Sequence, residues 1–415
     1  MSDGERLITR RRFLQAAVGA AASVAVCGSS PAKQELPNFV IIYADDLGYN
    51  DLSCYGSELI HTPRLDRMAA EGIKFTDFYS AAAVCTPSRA ALLTGCYPIR
   101  VNLPSVLGPF SPIGISDKEI TLAELLKTRG YATACIGKWH LGDQKPFLPT
   151  RHGFDYYYGL PYSNDMPRPN WPVPLIRNEE IIEQPVVQET LTERYTAEAI
   201  RFIKQNRYRP FFLYLAHTMP HVPLSVSKRF AGRSKRGLYG DVVECIDWST
   251  GEILDTLTSL GLDKNTLVIF SSDNGPWLSM KENGGSALPL RDGKGTTWEG
   301  GMRVPGIAWW PGRIPKGVVC REVVSTIDIY PTFAALAGAR VPTDRIIDGK
   351  DVRPLLFGEK SAVSPHKAFF YYWKDELQAV RSGKWKLVLE HKTRSGQTVI
   401  PQQLFNLETD IGETT

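Results

Sequence analysis

The fold of this chain is most restricted by one continuous apolar run, Asn38-Phe39-Val40-Ile41-Ile42-Tyr43-Ala44. A run of this kind, rich in β-branched residues and without polar alternation, is typical of a strand that is buried on both faces of a sheet. Similar short runs recur at residues 131–136, 210–216 and 266–271, and helix-like segments lie between several of them. Strands that alternate with helices predict an α/β fold, with a mostly parallel sheet sandwiched by helices.

Helix signals support this alternation. Residues 119–129 contain Thr121 as an N-cap and are followed by Gly130, a residue favoured just beyond a helix end. Residues 241–260 carry apolar side chains at helical spacing. Both segments are therefore predicted to be helices that cover the sheet.

The pattern changes after about residue 341. Residues 367–373, 379–390 and 403–407 predict short strands, and Ser382-Gly383 predicts a hairpin turn. A chain of 415 residues with 43% hydrophobic content is long enough for one large domain and a smaller one. We expect three parts: a leader and linker at 1–36, a large α/β domain at 37–340, and a small antiparallel C-terminal α+β domain at 341–415.

The first residues have the pattern of a twin-arginine signal peptide. Thr9-Arg10-Arg11-Arg12-Phe13-Leu14-Gln15 precedes a weakly apolar Ala/Val/Gly stretch that ends at Val26. This stretch is too short and too rich in Ala to predict a membrane span. We expect export by the twin-arginine machinery to the periplasm or the medium. Lipid anchoring at Cys27 is a minor alternative, because Val is a poor residue immediately before such a cysteine.

The net charge and the cysteine usage argue against several kinds of surface and site. The net charge is +4 and the basic residues are scattered, so no nucleic-acid surface is expected. The seven cysteines are odd in number and dispersed, which argues against a disulfide framework and against zinc. This usage fits a protein that folds in the reducing cytoplasm before export.

The segment Cys85-Thr86-Pro87-Ser88-Arg89 marks the start of a predicted helix that runs to Gly95. Pro87 fits the first turn, and the unpaired N–H groups there favour an anion. Arg89 lies four residues beyond Cys85 on nearly the same face and can offer a fork of donors to a tetrahedral oxyanion. The alternative is an ordinary buried cysteine near a helix start.

Polar residues follow the predicted strands, where ligands sit in open α/β sheets. Adjacent carboxylates at such buried ends repel each other unless a cation holds them. Their oxygen ligands suit a hard ion, and Ca²⁺ tolerates an irregular carboxylate-rich shell better than Mg²⁺. His217 is either functional or a core residue. The other polar candidates are Asp45, Asp46, Lys138, His140, His221, Asp273, Asn274 and, in a Gly-rich loop, Lys294.

Six separated motifs together resemble the type I sulfatase family, and most closely its arylsulfatase A and N-acetylgalactosamine-6-sulfatase group. They occur in the order of that family between about residues 38 and 310. The resemblance implies the alkaline-phosphatase-like fold, which agrees with the sheet predicted above. The motifs are Asp45-Asp46, Cys85-Thr86-Pro87-Ser88-Arg89 with Leu93-Thr94-Gly95, Gly137-Lys138-Trp139-His140-Leu141-Gly142, Pro220-His221-x-Pro223, Ser272-Asp273-Asn274-Gly275 and Gly293-Lys294-Gly295-Thr296-Thr297-x-Glu299-Gly300-Gly301.

The resemblance implies a sulfuric ester hydrolase that releases sulfate from an aryl or carbohydrate sulfate. A formylglycine-generating enzyme would oxidise Cys85 to formylglycine, and one hydroxyl of the hydrated aldehyde would bind Ca²⁺ and attack sulfur. Elimination from the second hydroxyl would then expel sulfate. The implied metal ligands are Asp45, Asp46, residue 85, Asp273 and Asn274.

The resemblance also implies roles for the cations and histidines. Arg89 and Lys138 would stabilise the nucleophile and the sulfate oxygens, while Lys294 and His221 would clamp the sulfate. His140 would take the proton from the second hydroxyl. The general acid stays open between His221 and Lys294.

This hypothesis has two alternatives, and the sequence leaves two points about the family resemblance open. The alternatives are a phosphodiester or phosphonate monoester hydrolase of the same superfamily, and a non-catalytic binder of sulfated glycans. The chain stops at residues 407–415, within a Leu-x-x-Asp-x-Gly-Glu segment after which relatives usually continue into a helix, so the domain is abbreviated or the sequence is incomplete. The loop at 162–182 is expected to shape the leaving-group pocket, but it does not identify the ester.

Overall fold

A computed structural model describes residues 36–393 and 395–415. The twin-arginine motif, the apolar stretch after it and Cys27 lie outside the described residues, so the predicted export signal and lipid anchor stay predictions. Among the helices that the structure describes, none combines the length and the apolar character that a membrane span requires.

Eighteen strands and eight α-helices make up the described part of the chain. The strands are β1 (Asn38–Ala44), β2 (Ile73–Phe75), β3 (Phe78–Tyr79), β4 (Ala132–Gly137), β5 (Tyr156–Gly159), β6 (Leu175–Arg177), β7 (Glu180–Glu183), β8 (Phe211–Ala216), β9 (Thr266–Ser272), β10 (Gly306–Trp309), β11 (Val318–Cys320), β12 (Val324–Ser325), β13 (Phe369–Trp373), β14 (Glu376–Ser382), β15 (Trp385–Val388), β16 (His391–Lys392), β17 (Val399–Ile400) and β18 (Gln403–Asn406). The helices are α1 (Pro63–Glu71), α2 (Cys85–Thr94), α3 (Leu122–Lys127), α4 (Leu191–Gln205), α5 (Leu238–Ser259), α6 (Glu299–Met302), α7 (Ile329–Ala337) and α8 (Arg353–Leu356).

A ten-stranded sheet forms the centre of the fold, in the order β11-β2-β10-β9-β1-β8-β4-β5-β6-β7. The central strands β9, β1, β8, β4 and β5 are mutually parallel, whereas antiparallel pairs flank them on both sides. The four apolar runs of the sequence are β1, β4, β8 and β9. The predicted mostly parallel α/β sheet is therefore confirmed.

Helices cover both faces of this sheet, and β1 is accordingly apolar on both of its faces. Phe39 and Ile41 pack into a core with α2, α3 and α7, and Val40 and Ile42 pack into a second core with α1, α4 and α5. All four side chains are completely buried. Two cores on one strand explain why its sequence shows no polar alternation.

Helix boundaries differ modestly from the expectations. The side chain of Thr121 accepts from the Glu124 amide, and Glu124 accepts from the Thr121 amide, so the predicted N-cap is a capping box. This cap delays the start of α3 to Leu122. Helix α5 begins at Leu238, earlier than predicted, and ends at Ser259.

The loop predicted at 162–182 is only partly a loop. Its last residues form β6 and the start of β7, two short antiparallel strands that extend one edge of the large sheet. Ile181 and Ile182 on β7 are exposed, so this edge lacks the buried apolar run by which the central strands were identified.

The C-terminal region contains a four-stranded antiparallel sheet in the order β13-β14-β15-β18. Gly383 has a φ of 55° in the turn between β14 and β15, which fits the predicted hairpin turn. The small antiparallel sheet is thus confirmed, whereas the domain boundary at residue 340 stays a prediction.

Candidate active site

The carboxyl ends of β1, β4, β8 and β9 meet at one edge of the sheet, and α2 begins there. Asp45 follows β1, Lys138 follows β4 and Asp273 follows β9 directly, and all three side chains are completely buried. The amide of Asp273 donates to Ala44 and that of Asp45 donates to Met219, so the segments leaving the strands stay attached to each other. Topology therefore brings together polar residues that are up to 228 positions apart.

Asp45 is held by cations. The Lys138 ammonium lies 2.5 Å from Asp45 Oδ2 and also donates to Ser163 Oγ at 3.1 Å. Arg89 Nη2 lies 3.6 Å from the same carboxylate oxygen. Burial opposes ionisation of Asp45, but Lys138 and its cationic neighbours outweigh it and hold the pKa of Asp45 well below its usual range.

Asp46 lies among four predicted site residues. Lys294 Nζ donates to Asp46 Oδ2 at 2.7 Å, and His221 Nε2 lies 3.5 Å from the same oxygen. Asn274 Nδ2 donates to Asp46 Oδ1 at 2.7 Å, and the Asp46 amide donates to Asp273 Oδ1 at 3.1 Å. Asp46 has a φ of 64°, a left-handed conformation that is uncommon for a non-glycine residue and occurs often at functional sites.

Arg89 is engaged differently from the sequence expectation. Its Nε and Nη2 donate to Asp273 Oδ2 at 3.0 and 2.7 Å, and its Nη1 donates to the Lys138 carbonyl at 2.9 Å. The guanidinium is fully buried. In this arrangement its donors fix a carboxylate and the backbone after β4, so Arg89 does not offer an open fork to an oxyanion.

The carboxylates are crowded. Burial and the charge of Asp45 raise the pKa of Asp273, although Arg89 and Lys138 oppose this shift. Near neutral pH, a buried group of this kind needs further positive charge to remain ionised.

The residues fit a divalent metal ion. The side-chain ligand atoms of Asp45, Asp46, Cys85 and His221 all lie within 4.8 Å of one another. Asp45 Oδ1 and Asn274 Oδ1 are buried and accept no hydrogen bond from any residue that the structure describes. Buried acceptors without donors beside crowded carboxylates are what a cation would satisfy. Three predicted ligands thus share this cluster with His221, while Asp273 and Asn274 adjoin it through Asp46.

Cys85 is the first residue of α2, as predicted, and only 2% of it is exposed. Burial raises the pKa of its thiol to about 12, although Lys138 and Lys294 lower it. The thiol is therefore neutral near pH 7 and is a weak nucleophile as it stands. Ser88, one turn along α2, lies 3.0 Å from Tyr43 Oη and 2.8 Å from Ser80 Oγ, which fixes the helix start against β1.

His140 is buried beside this helix start. Its Nε2 lies 2.8 Å from the Leu107 carbonyl, which can only accept, so Nε2 carries the proton and Nδ1 is an acceptor. Nδ1 is buried and has no partner among the described residues. Burial and the nearby Lys138 hold the pKa of His140 well below its usual range, so the ring is a neutral base. Its carbonyl accepts from Thr86, next to Cys85.

His221 and Lys294 line the opposite side of Asp46. His221 Nδ1 donates to the Val222 carbonyl at 2.6 Å, and its ring centroid lies 5.6 Å from that of Trp277. Lys294 Nζ lies 4.4 Å from the same indole centroid. Burial lowers the pKa of His221 although Asp46 opposes the shift, while Lys294 keeps its charge because Asp46 outweighs burial and raises the pKa of Lys294.

His217 is a core residue. Its Nε2 lies 3.3 Å from Ser249 Oγ on α5, and burial alone lowers its pKa to about 3. Sequence reasoning missed Ser163 on Lys138 and the Leu107 carbonyl on His140. Of these two, Ser163 had a signal, because it lies in the loop at 162–182 that was expected to shape the leaving-group pocket.

Comparisons with known proteins found similarity over most of this chain. The Sulfatase family model matches residues 37–339, and the model described as N-sulphoglucosamine sulphohydrolase, C-terminal, matches residues 293–413. N-acetylgalactosamine-6-sulfatase of Canis lupus familiaris is 44% identical over 389 residues, covering 88% of this chain and 73% of that protein. Arylsulfatase A of Homo sapiens is 44% identical over 379 residues, covering 84% of this chain and 74% of that protein.

The fold is similar to that of solved structures. One is Ps i-CgsB in complex with k-i-k-neocarrahexaose, with a TM-score of 0.80 and 34% sequence identity. The match covers 92% of this chain and 88% of that one.

Proposed function

Because this chain belongs to the sulfatase family and is a sulfuric ester hydrolase, we propose that formylglycine made from Cys85 and a bound Ca²⁺ carry out the reaction. The fold of this family is alkaline-phosphatase-like. The observation that carries this proposal is the cluster of Asp45, Asp46, Cys85 and His221, whose ligand atoms lie within 4.8 Å of one another beside two lysines. When present, formylglycine supplies a hydrated aldehyde with a hydroxyl nucleophile. When bound, Ca²⁺ supplies charge that lowers the pKa of that hydroxyl and neutralises sulfate oxygens.

Charge balance supports anion binding at this site. Three carboxylates, Asp45, Asp46 and Asp273, are matched by three cations, Arg89, Lys138 and Lys294. A divalent ion on the carboxylates gives the site a net positive charge, which suits a sulfate monoester. Asp45, Asp46, the oxygen of residue 85, Asp273 and Asn274 are the proposed ligands, because hard oxygen donors favour Ca²⁺.

The protein groups have distinct proposed roles. Lys138 and Lys294 bind sulfate oxygens, since each ammonium is buried next to the cluster and pre-positioned by a carboxylate. Arg89 acts by holding Asp273 and the backbone after Lys138. His140 accepts a proton at Nδ1, the ring atom without a partner in the described residues. His221 and Lys294 flank Asp46, and the general acid is one of them.

The test of the proposed function is expression with and without a formylglycine-generating enzyme. Mass spectrometry of the peptide that contains residue 85 measures conversion, and sulfate release from 4-nitrophenyl sulfate measures activity. We expect activity to rise in proportion to conversion and to exceed activity on 4-nitrophenyl phosphate. Equal activity in fully unconverted protein would contradict the role of residue 85, and a preference for the phosphate ester would favour the phosphoester alternative.

Metal removal is expected to suppress activity strongly. Dialysis against a chelator should lower sulfate release and also lower the melting temperature, because Asp45, Asp46 and Asp273 are then crowded without their ion. Adding Ca²⁺ back should restore both quantities better than Mg²⁺ does. Full activity and an unchanged melting temperature in metal-free protein, verified by elemental analysis, would refute the metal site.

The proposed substrate is a sulfated carbohydrate. Ps i-CgsB, which is 34% identical to this chain, was solved with a carrageenan hexaose, and N-acetylgalactosamine-6-sulfatase is named for a sulfated sugar. The leader motif at Arg10 and Arg11 supports export by the twin-arginine machinery, where such polymers are accessible. Retention of the full-length protein in the cytoplasmic fraction of its host would contradict export.

A further inference from the structure

Three successive backbone amides, those of residues 46–48, are each held by a side-chain oxygen. The first two donate to Asp273 Oδ1 at 3.1 Å and to Ser272 Oγ at 3.0 Å, at the end of β9. The third, the amide of Gly48, donates to Asp51 Oδ2 at 2.7 Å. Asp273 is a proposed metal ligand, whereas Asp51 is not. The turn that follows β1 is therefore fixed from two sides, by β9 and by Asp51.

Asp51 joins this turn to two distant parts of the chain. Its Oδ1 accepts from the Ser286 amide at 2.9 Å, and its Oδ2 accepts from Tyr239 Oη on α5 at 2.6 Å. The Ser286 carbonyl in turn accepts from the Asn50 amide at 2.9 Å. Only 2% of Asp51 is exposed, so these hydrogen bonds form in the interior, where they are electrostatically stronger than in water.

The surroundings leave the turn little room to move. A Cβ atom added at Gly48 would lie 2.2 Å from the Ser286 carbonyl oxygen and 2.6 Å from Asp51 Oδ2. A Cβ atom added at Gly285 would lie 2.1 Å from the same carboxylate oxygen. Because these distances are far shorter than a van der Waals contact, the packing around Asp51 permits one arrangement of the turn.

The conformation of Asp46 depends on this turn. Asp46 lies two residues before Gly48, and its left-handed φ of 64° is a conformation that persists only where the surrounding structure enforces it. The contacts on the β9 side come from the crowded carboxylates of the site itself. Asp51 supplies a contact from outside that group, so it can hold the turn whether or not a cation is bound.

We propose that Asp51 is a positioning residue for the metal ligands Asp45 and Asp46, and that it acts through the Gly48 amide. The proposal rests on the proposed function, because it assumes that these carboxylates bind Ca²⁺. It predicts that a substitution at Asp51 weakens Ca²⁺ binding, although Asp51 is not among the four residues of the metal cluster.

The test is a calorimetric titration of Ca²⁺ into metal-free, converted full-length enzyme. We expect Asp51→Asn to raise the Kd for Ca²⁺ by about ten- to a hundredfold. The Asn side chain has the same size, but in either orientation its NH₂ group faces the amide of Gly48 or of Ser286, so that a donor meets a donor. A Kd for folded Asp51→Asn within about twofold of the wild-type value would overturn the proposal.

Asp247 on α5 provides the matched control, because its buried carboxylate also accepts from backbone amides. Asp247 Oδ1 accepts from the Arg64 amide at 3.0 Å and from the Leu65 amide at 2.8 Å, at the start of α1 and outside the metal cluster. We expect Asp247→Asn to lower the melting temperature but to leave the Kd for Ca²⁺ unchanged. Equal weakening of Ca²⁺ binding by both Asn variants would indicate a general loss of stability and would overturn the positioning role.

A second variant covers the case in which circular dichroism shows that Asp51→Asn does not fold. Tyr239→Phe keeps the carboxylate and both amides and removes one donor to Asp51, so the Kd for Ca²⁺ should rise by about threefold. An unchanged Kd in Tyr239→Phe then overturns the proposal. Failure of the proposed function differs from this result: the wild-type enzyme itself binds no Ca²⁺, which overturns the metal site and the positioning role together.

Discussion

Replacing Cys85 with Ala is expected to reduce sulfate release by at least about a thousandfold while the protein stays folded. Residue 85 supplies the proposed nucleophile, and no neighbouring group can replace a hydroxyl that belongs to a hydrated aldehyde. Its side chain is small, and the start of α2 is fixed independently by Ser88 against Tyr43 and Ser80. The measurement is sulfate release from 4-nitrophenyl sulfate, with circular dichroism to verify the fold.

A second buried cysteine provides the control. Cys245 lies on α5 and is also almost completely buried, but it is not one of the metal-cluster residues. We expect Cys245→Ala to keep near-normal kcat, with only a modest loss of stability of about 1 kcal/mol. Substantial turnover in folded Cys85→Ala protein would refute residue 85 as the nucleophile.

Replacing Lys386 with Met is expected to lower the free energy of unfolding by about 3–5 kcal/mol. Lys386 Nζ lies 3.1 Å from Glu299 Oε1 and 2.7 Å from Glu413 Oε1, and all three side chains are completely buried. Met keeps the volume but removes the charge, so two carboxylates are left close together in the interior. Urea unfolding at neutral pH, followed by fluorescence, measures the loss.

The loss of stability caused by Lys386→Met is expected to depend on pH. Burial opposes ionisation of Glu299, but Lys386 and two arginines outweigh it and lower the pKa of Glu299 to about 2. A depressed pKa contributes stability that is present above the ordinary Glu pKa and is lost as pH falls through the lowered value. The difference between wild type and Lys386→Met should therefore shrink on acidification below about pH 4.

Lys384 is the matched control for this substitution. It is exposed in the same hairpin, two residues away, so Lys384→Met should change the free energy of unfolding by no more than about 0.5 kcal/mol. A loss below about 1 kcal/mol for Lys386→Met would show that the cluster of Lys386, Glu299 and Glu413 is not a major tie between the C-terminal sheet and the large domain.

Local signals explain why the central fold was predictable. Strands β1, β4, β8 and β9 are buried on both faces, so each is a continuous apolar run that needs no knowledge of its neighbours. The N-cap at Thr121 likewise depends on residues three positions apart. The edge strands β6 and β7 were missed because their pairing, and not an apolar run, defines them.

The sequence alone determined which residues follow the buried strands and that Cys85 begins a helix, because strand ends and helix starts are encoded by neighbouring residues. Only the tertiary structure decided how the side chains pair: that Arg89 holds Asp273, that His221 joins Asp45, Asp46 and Cys85, and that Leu107 sets the tautomer of His140. It also decided that Lys386 of the C-terminal sheet lies between Glu299 and Glu413. The physical reason is that electrostatic and hydrogen-bonding partners are chosen by distance in space, and these partners lie tens to hundreds of residues apart in the chain.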